Sequence, residues 1–196
     1  MPFGVPPRGK ATIMSIASDP TTEQLIAELY KIDGKAEIVD GRIVRMSPTG
    51  RRPGRAGYRI CRSLEAIETR LGGYAYPDNV AFLVDLPNRK SFAPDASFSK
   101  EAPEMEFGKG APLFAAEVRS EGDYGPAAER KMVAKRADYF AAGTKVVWDV
   151  DLLADDVIRK YSADSPDVPT VYRRGEIADA EPALPGWNFP VNELFD

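Results

Sequence analysis

The run Leu113-Phe114-Ala115-Ala116-Glu117-Val118 sets the tightest limit on the fold. A β-strand turns alternate side chains to opposite faces, so a strand that is apolar at nearly every position must be covered on both. Such a strand belongs at the centre of a sheet. Glu117 interrupts the run near its end, and a carboxylate there needs a partner or access to water. An earlier apolar run, Ser91–Phe98, carries Pro94-Asp95. After the central strand comes Pro126, which suits a first helical position, and a helix is predicted from there to Ala142 with Gly143 as its C′ residue. Lys145–Asp151 reads as the next strand.

The rest of the chain supplies the covering elements. Thr21 and Gln24 have capping-box spacing, predicting a short helix to about Lys31 that buries Leu25, Ile26 and Leu29, with Gly34 ending it. Ala36–Val39 and Arg42–Met46 flank Asp40-Gly41, a dipeptide suited to the positive φ angles of a type I′ hairpin turn. Alternation puts Glu37 and Val39 on one face of that hairpin and Ile38 on the other. Ile60, Leu64, Ile67 and Leu71 form one helical stripe, predicting a helix from about Gly54 to Leu71 that stops at Gly72-Gly73. Tyr74–Tyr76, Asn79–Leu86, Val157–Tyr161 and Val171–Arg174 read as strands, and residues 99–111 as a polar loop. The order of elements gives an α/β (α+β) class, with a mixed sheet flanked by helices in one domain over residues 20–196. Residues 1–19 read as a flexible arm. From about residue 175 an irregular tail is expected, docked by Trp187, Phe189, Leu194 and Phe195.

Composition excludes several chemistries. Histidine is absent, so there is no Ser-His-Asp triad, no histidine base and no histidine metal ligand. A metal here would take oxygen ligands, which favours Mg²⁺, Mn²⁺ or Ca²⁺ over zinc. The single cysteine, Cys61, permits no internal disulfide and suits a reducing, cytoplasmic setting. The first residues carry Pro and Gly rather than the apolar core of a signal peptide, and no run approaches the roughly 20 apolar residues of a membrane span. The net charge is −4, yet Arg51, Arg52, Arg55, Arg59 and Arg62 crowd one segment. That is the footprint a phosphate backbone needs, though on composition alone the pattern belongs more often to a solvated helix face.

Asp95 and Glu117 sit in two apolar runs; if these are neighbouring strands both acids can point into one site, where a divalent cation would neutralise them while activating a bound water. Each acid also has a plain reading. Asp95 follows a proline, as turn residues do, and Glu117 shares a strand face with Arg119.

The ordered segments Ala36–Val44, Met46-Ser47-Pro48, Ala93–Phe98, Glu117–Ser120 and Lys135 through Gly143 to Asp151 resemble the Uma2-like (DUF820) restriction endonucleases of the PD-(D/E)xK nuclease superfamily. The resemblance spans roughly residues 20–160 and implies a restriction-endonuclease-like fold. It also implies a Mg²⁺- or Mn²⁺-dependent endonuclease that hydrolyses DNA phosphodiesters, with a homodimer by analogy. On it, Asp95, Glu117 and the Val118 carbonyl are metal ligands, Glu37 completes the set, and Lys135 positions the attacking water. Lys131 and Arg119 contest the lysine role. On a helical wheel, Val133, Ala137 and Phe140 lie opposite both lysines, so if that stripe faces the sheet neither lysine reaches the acids easily. Arg51, Arg52, Arg55 and Arg59 are expected along a DNA backbone, as are Arg89 and Lys90. The family often has a histidine after Met-Ser-Pro, where this chain has Arg52-Pro53-Gly54. That departure keeps open an alternative, a decayed nuclease-fold module that binds nucleic acid or a protein. A metal-free carboxylate-pair hydrolase fits less well, because two acids and a lysine offer no clear acid/base division.

Overall fold

A computed structural model describes residues 20–196, so the arm expected over 1–19 lies outside the described residues. The helices are α1 (Thr22–Leu29), α2 (Arg51–Glu65), α3 (Glu68–Leu71) and α4 (Pro126–Ala141). The strands are β1 (Ala36–Val39), β2 (Arg42–Arg45), β3 (Tyr74–Pro77), β4 (Phe82–Leu83), β5 (Ser91–Phe92), β6 (Ala96–Ser99), β7 (Gly108–Lys109), β8 (Phe114–Val118), β9 (Val146–Val150), β10 (Ile158–Ser162), β11 (Ser165–Tyr172), β12 (Ile177–Asp179) and β13 (Asn188–Pro190). None of the described helices is long and apolar enough to cross a membrane.

Six strands form the main sheet in the order β11-β10-β9-β8-β6-β3. β8 and β9 run parallel, and the other neighbours in this sheet are antiparallel. A parallel pair needs a crossover connection, which α4 supplies. β8 is central and buried at all five positions, as its composition demands. The β1–β2 hairpin, the set β5-β4-β7 and the pair β12-β13 form three smaller sheets.

Alternation along β8 decides where the chemistry falls. Phe114, Ala116 and Val118 join Val146, Trp148 and Val150 in the main core, against Ile60 and Leu64 of α2 and Trp187 and Phe189 of the C-terminal segment. Ala115 and Val147 point the other way, onto Tyr139 of α4 and onto Phe92. Glu117 shares the parity of Ala115 and so faces α4.

Local signals held where they rested on backbone geometry. Thr21 N–H donates to Gln24 Oε1 at 2.8 Å, and Gln24 N–H donates to Thr21 Oγ1 at 3.3 Å. Asp40 and Gly41 have φ of 49° and 68°, the positive angles a type I′ turn needs. Other elements differ from expectation. The stripe from Ile60 to Leu71 is broken at Ile67, which has φ −110° and ψ −1° before α3 begins. Periodicity reports which face is buried, not that the helix is continuous, and Ile67 remains in the core. Ser91–Phe98 is two strands, because Ala93-Pro94-Asp95 divides it and β5 and β6 enter different sheets. Asn79–Leu86 contains only the short β4, with Asn79 at φ 66°. The C-terminal segment is not irregular. It forms the β12–β13 hairpin and a 3₁₀ turn over Val191–Leu194, and Trp187 stacks on Trp148 with ring centroids 5.0 Å apart.

Candidate active site

Asp95 is stapled to the end of β8. Its N–H donates to the Ala116 carbonyl at 3.0 Å, and its Oδ2 accepts from the Val118 N–H at 2.6 Å. The carboxylate therefore lies beside Glu117-Val118. α2 backs onto the same turn through Gly57, where a Cβ would stand 3.2 Å from the Asp95 carbonyl oxygen.

Glu117 faces α4. Its Oε1 accepts from the Tyr139 hydroxyl at 2.6 Å and meets Lys135 Nζ at 2.7 Å. Its Oε2 accepts no hydrogen bond from the described residues. Tyr139 is held by stacking on Phe92, with centroids 3.9 Å apart and planes 13° from parallel. Lys135 Nζ also lies 2.9 Å from Glu37 Oε1. Glu37 in turn accepts from the Ala93 N–H at 2.9 Å and pairs through Oε2 with Arg89 Nη1 at 2.5 Å. Arg89 Nε reaches Asp138 Oδ2 at 2.8 Å. Glu37 thus joins the group from the hairpin, with both oxygens engaged by neighbours.

Of the three candidates for the lysine role, Lys135 is the one that meets Glu117 and Glu37. Val133 is 49% exposed and Ala137 is exposed too, so of the Val133 stripe only Phe140 packs inward, against the Phe92–Tyr139 cluster. α4 turns Met132, Lys135, Arg136 and Tyr139 toward the sheet instead, leaving beside Glu117 a cavity of about 10 Å³. An apolar stripe misleads here because the inward face of α4 serves carboxylates, and polar groups are what satisfy them. Lys131 is exposed and makes no ion pair among the described residues. Arg119 is committed elsewhere. Its Nε and Nη2 each lie 2.7 Å from an oxygen of Asp149 in a bidentate fork, and it also pairs with Glu129.

Arg89, expected on a DNA backbone, is buried between Glu37 and Asp138. Lys90 pairs with exposed Asp85 at 2.6 Å. Arg51, Arg52 and Arg55 are exposed on α2, and Arg59 is half-buried. Arg51, Arg55 and Arg59 recur every fourth residue and so share one helix face. Arg52 lies over the Phe195 ring at 5.4 Å, and Arg174 lies over the same ring at 3.4 Å.

One group carried no recognisable signal in the sequence. Lys35, just ahead of β1, places Nζ 2.5 Å from Asp95 Oδ1 and 2.8 Å from Asp78 Oδ1. Only the tertiary fold brings this lysine to Asp95, 60 residues away.

The electrostatics follow from burial. Desolvation raises the Glu117 carboxyl above the ordinary value, against the pull of Lys135, and neighbouring Asp95 adds to the rise. Desolvation opposes the charge on Glu37 too, but Lys135 and Arg89 outweigh it and hold its pKa low. Burial works against the Lys135 and Lys35 ammoniums, yet the surrounding carboxylates keep both above the usual lysine value. Five carboxylates (Glu37, Asp78, Asp95, Glu117, Asp138) meet three cations (Lys35, Arg89, Lys135). The cluster therefore carries two excess negative charges when all are ionised.

Among the described residues no three His, Cys, Asp or Glu side chains group as a complete metal cage. The donor set still fits Mg²⁺ or Mn²⁺. Such ions take oxygen ligands, need only one or two carboxylates, and keep several waters. Asp95, the open Oε2 of Glu117 and the Val118 carbonyl offer donors of that kind, and the excess charge matches a divalent ion.

The family model described as "Uma2: Putative restriction endonuclease" matches residues 22–192. Among solved structures the chain is similar to one described as "a putative nuclease belonging to DUF820" from Anabaena variabilis ATCC 29413. The TM-score is 0.67 at 15% identity, covering 87% of this chain and 97% of that one, a likeness of fold. None of the curated proteins matches.

Proposed function

The chain belongs to the Uma2 family, described as restriction endonucleases, and from that membership we propose that it is a Mg²⁺- or Mn²⁺-dependent endonuclease hydrolysing DNA phosphodiesters. One observation carries the reading: Asp95 and Glu117 meet at the end of β8, with Glu117 Oε2 open and Lys135 on Glu117 Oε1. Asp95, Glu117 and the Val118 carbonyl would hold the cation, which when bound supplies an acidified water and charge stabilisation at the phosphorus.

The protein's own groups do the rest. Tyr139 and Lys135 both bind Glu117 Oε1, which orients the carboxylate and leaves Oε2 without a partner among the described residues. Glu37 anchors Lys135 from the other side and is itself fixed by Arg89 and Ala93. A protonated lysine cannot be the base. Its remaining N–H can orient the attacking water and offset charge building on the phosphoryl oxygens. Attack is a direct hydrolysis without a covalent enzyme intermediate. Arg51, Arg52, Arg55 and Arg59 follow the sugar–phosphate backbone without reading sequence. A homodimer would present two such sites to the two strands of a duplex.

The test is nicking of supercoiled plasmid with Mg²⁺ or Mn²⁺, comparing the parent with Glu117→Ala. Metal-dependent nicking that Glu117→Ala abolishes is the expected result. Intact plasmid in every metal, alongside salt-sensitive DNA binding, would replace this reading with that of a non-catalytic binding module.

A further inference from the structure

Lys135 and Lys35 are two ammoniums at one acid pair, and their surroundings differ. Lys135 is enclosed by Glu37 and Glu117, whose side chains are 3% and 11% exposed. Lys35 instead bridges Asp95 and Asp78, and Asp78 is 43% exposed. One end of its bridge lies in the site and the other at the rim. Both oxygens of Asp95 are already engaged, Oδ1 by Lys35 and Oδ2 by the Val118 N–H. The backbone donor belongs to the strand and cannot leave, whereas the lysine can.

We propose that Lys35 is a displaceable ammonium that occupies Asp95 Oδ1 in place of a divalent cation, and that Asp78 retains Lys35 when the cation is bound. The inference rests on the metal reading above. Two cations on one carboxylate oxygen repel strongly in a half-buried setting, so the ammonium and the ion exclude each other. Asp78 is already within hydrogen-bond reach of the same Nζ, so Lys35 changes partner without becoming unpaired. The exchange makes and breaks no covalent bond.

Mn²⁺ binding measured by isothermal titration calorimetry tests this without turnover. Lys35→Met is expected to bind Mn²⁺ about tenfold tighter than the parent, equivalent to about 1.4 kcal/mol. Lys131→Met, a surface lysine outside the cluster, is expected to stay within about twofold, separating local competition from a general charge effect. Asp78→Asn removes the receiving carboxylate and is expected to weaken binding. Glu117→Gln should lose the ion. Unchanged or weaker binding in Lys35→Met, with Glu117→Gln still deficient, overturns the Lys35 assignment and leaves the metal site standing. No binding in any variant overturns both. A second measurement on the unaltered chain covers misfolding of the variant. Amine acetylation read by mass spectrometry should label Lys35 faster when Mn²⁺ is added, while Lys135 stays protected. Equal or slower labelling of Lys35 overturns the proposal.

Discussion

Glu37 shows how one buried carboxylate makes stability depend on pH. Its pKa in the folded chain lies below the ordinary value, so its contribution is present above about pH 4.3 and lost as pH falls through the folded value. Urea titrations of parent and Glu37→Gln should therefore differ by a constant amount from about pH 5.5 upward and converge in more acid buffer. A gap that widens toward acid would mean that Lys135 and Arg89 do not stabilise the ionised form. Arg119 makes a second prediction at this scale. Arg119→Ala leaves Asp149, the register neighbour of Glu117, with only Arg159 at 3.8 Å, and should cost about 3 kcal/mol in chemical unfolding. Its Mn²⁺ affinity should stay near the parent's. A loss of ion binding with little loss of stability would return Arg119 to the lysine role.

Two helices hold the site from opposite sides of the sheet. α4 presents Lys135 and Tyr139, one turn apart, to Glu117. Such a helix lacks a clean apolar stripe, which is why a helical wheel does not single out its inward face. α2 approaches from the other side, and Gly57 is the point of closest passage. The Asp95 carbonyl it meets is backbone and cannot rotate aside, because the neighbouring N–H is bound to Ala116. Gly57→Val should lower stability by about 1–3 kcal/mol through overpacking and weaken Mn²⁺ binding by moving Asp95. A change under about 0.5 kcal/mol with normal ion binding would show that α2 simply backs away.

At the scale of the molecule, the charge balance separates two surfaces. The chain is acidic overall, at −4, yet exposed Arg51, Arg52 and Arg55 form a basic edge on α2. Arg174 reaches the same edge from the C-terminal segment by stacking on Phe195 with Arg52. DNA affinity should fall linearly with salt on logarithmic axes, and Arg51→Gln with Arg55→Gln should lower that slope by about 2 without changing preference among sequences. A slope equal to the parent's would take these arginines off the backbone.

Much of this protein is legible in its sequence because local physics writes it there. The capping box at Thr21, the Asp40-Gly41 turn and the double-sided burial of β8 each follow from a few neighbouring residues. So does the parity that points Glu117 away from the main core, and ordered segments pointed to the family. Other features belong to the fold alone. Lys35 precedes the hairpin without any pattern, and Arg89 reads in the sequence as a contact to a DNA backbone. Both became partners of acids far along the chain. That Lys135 rather than Lys131 or Arg119 meets Glu117 turns on the rotation of α4 and on the Asp149 fork. Backbone preferences act over a few residues and leave a local trace. Which charges neutralise which is settled by desolvation in the packed interior, where only the three-dimensional neighbourhood sets the energy.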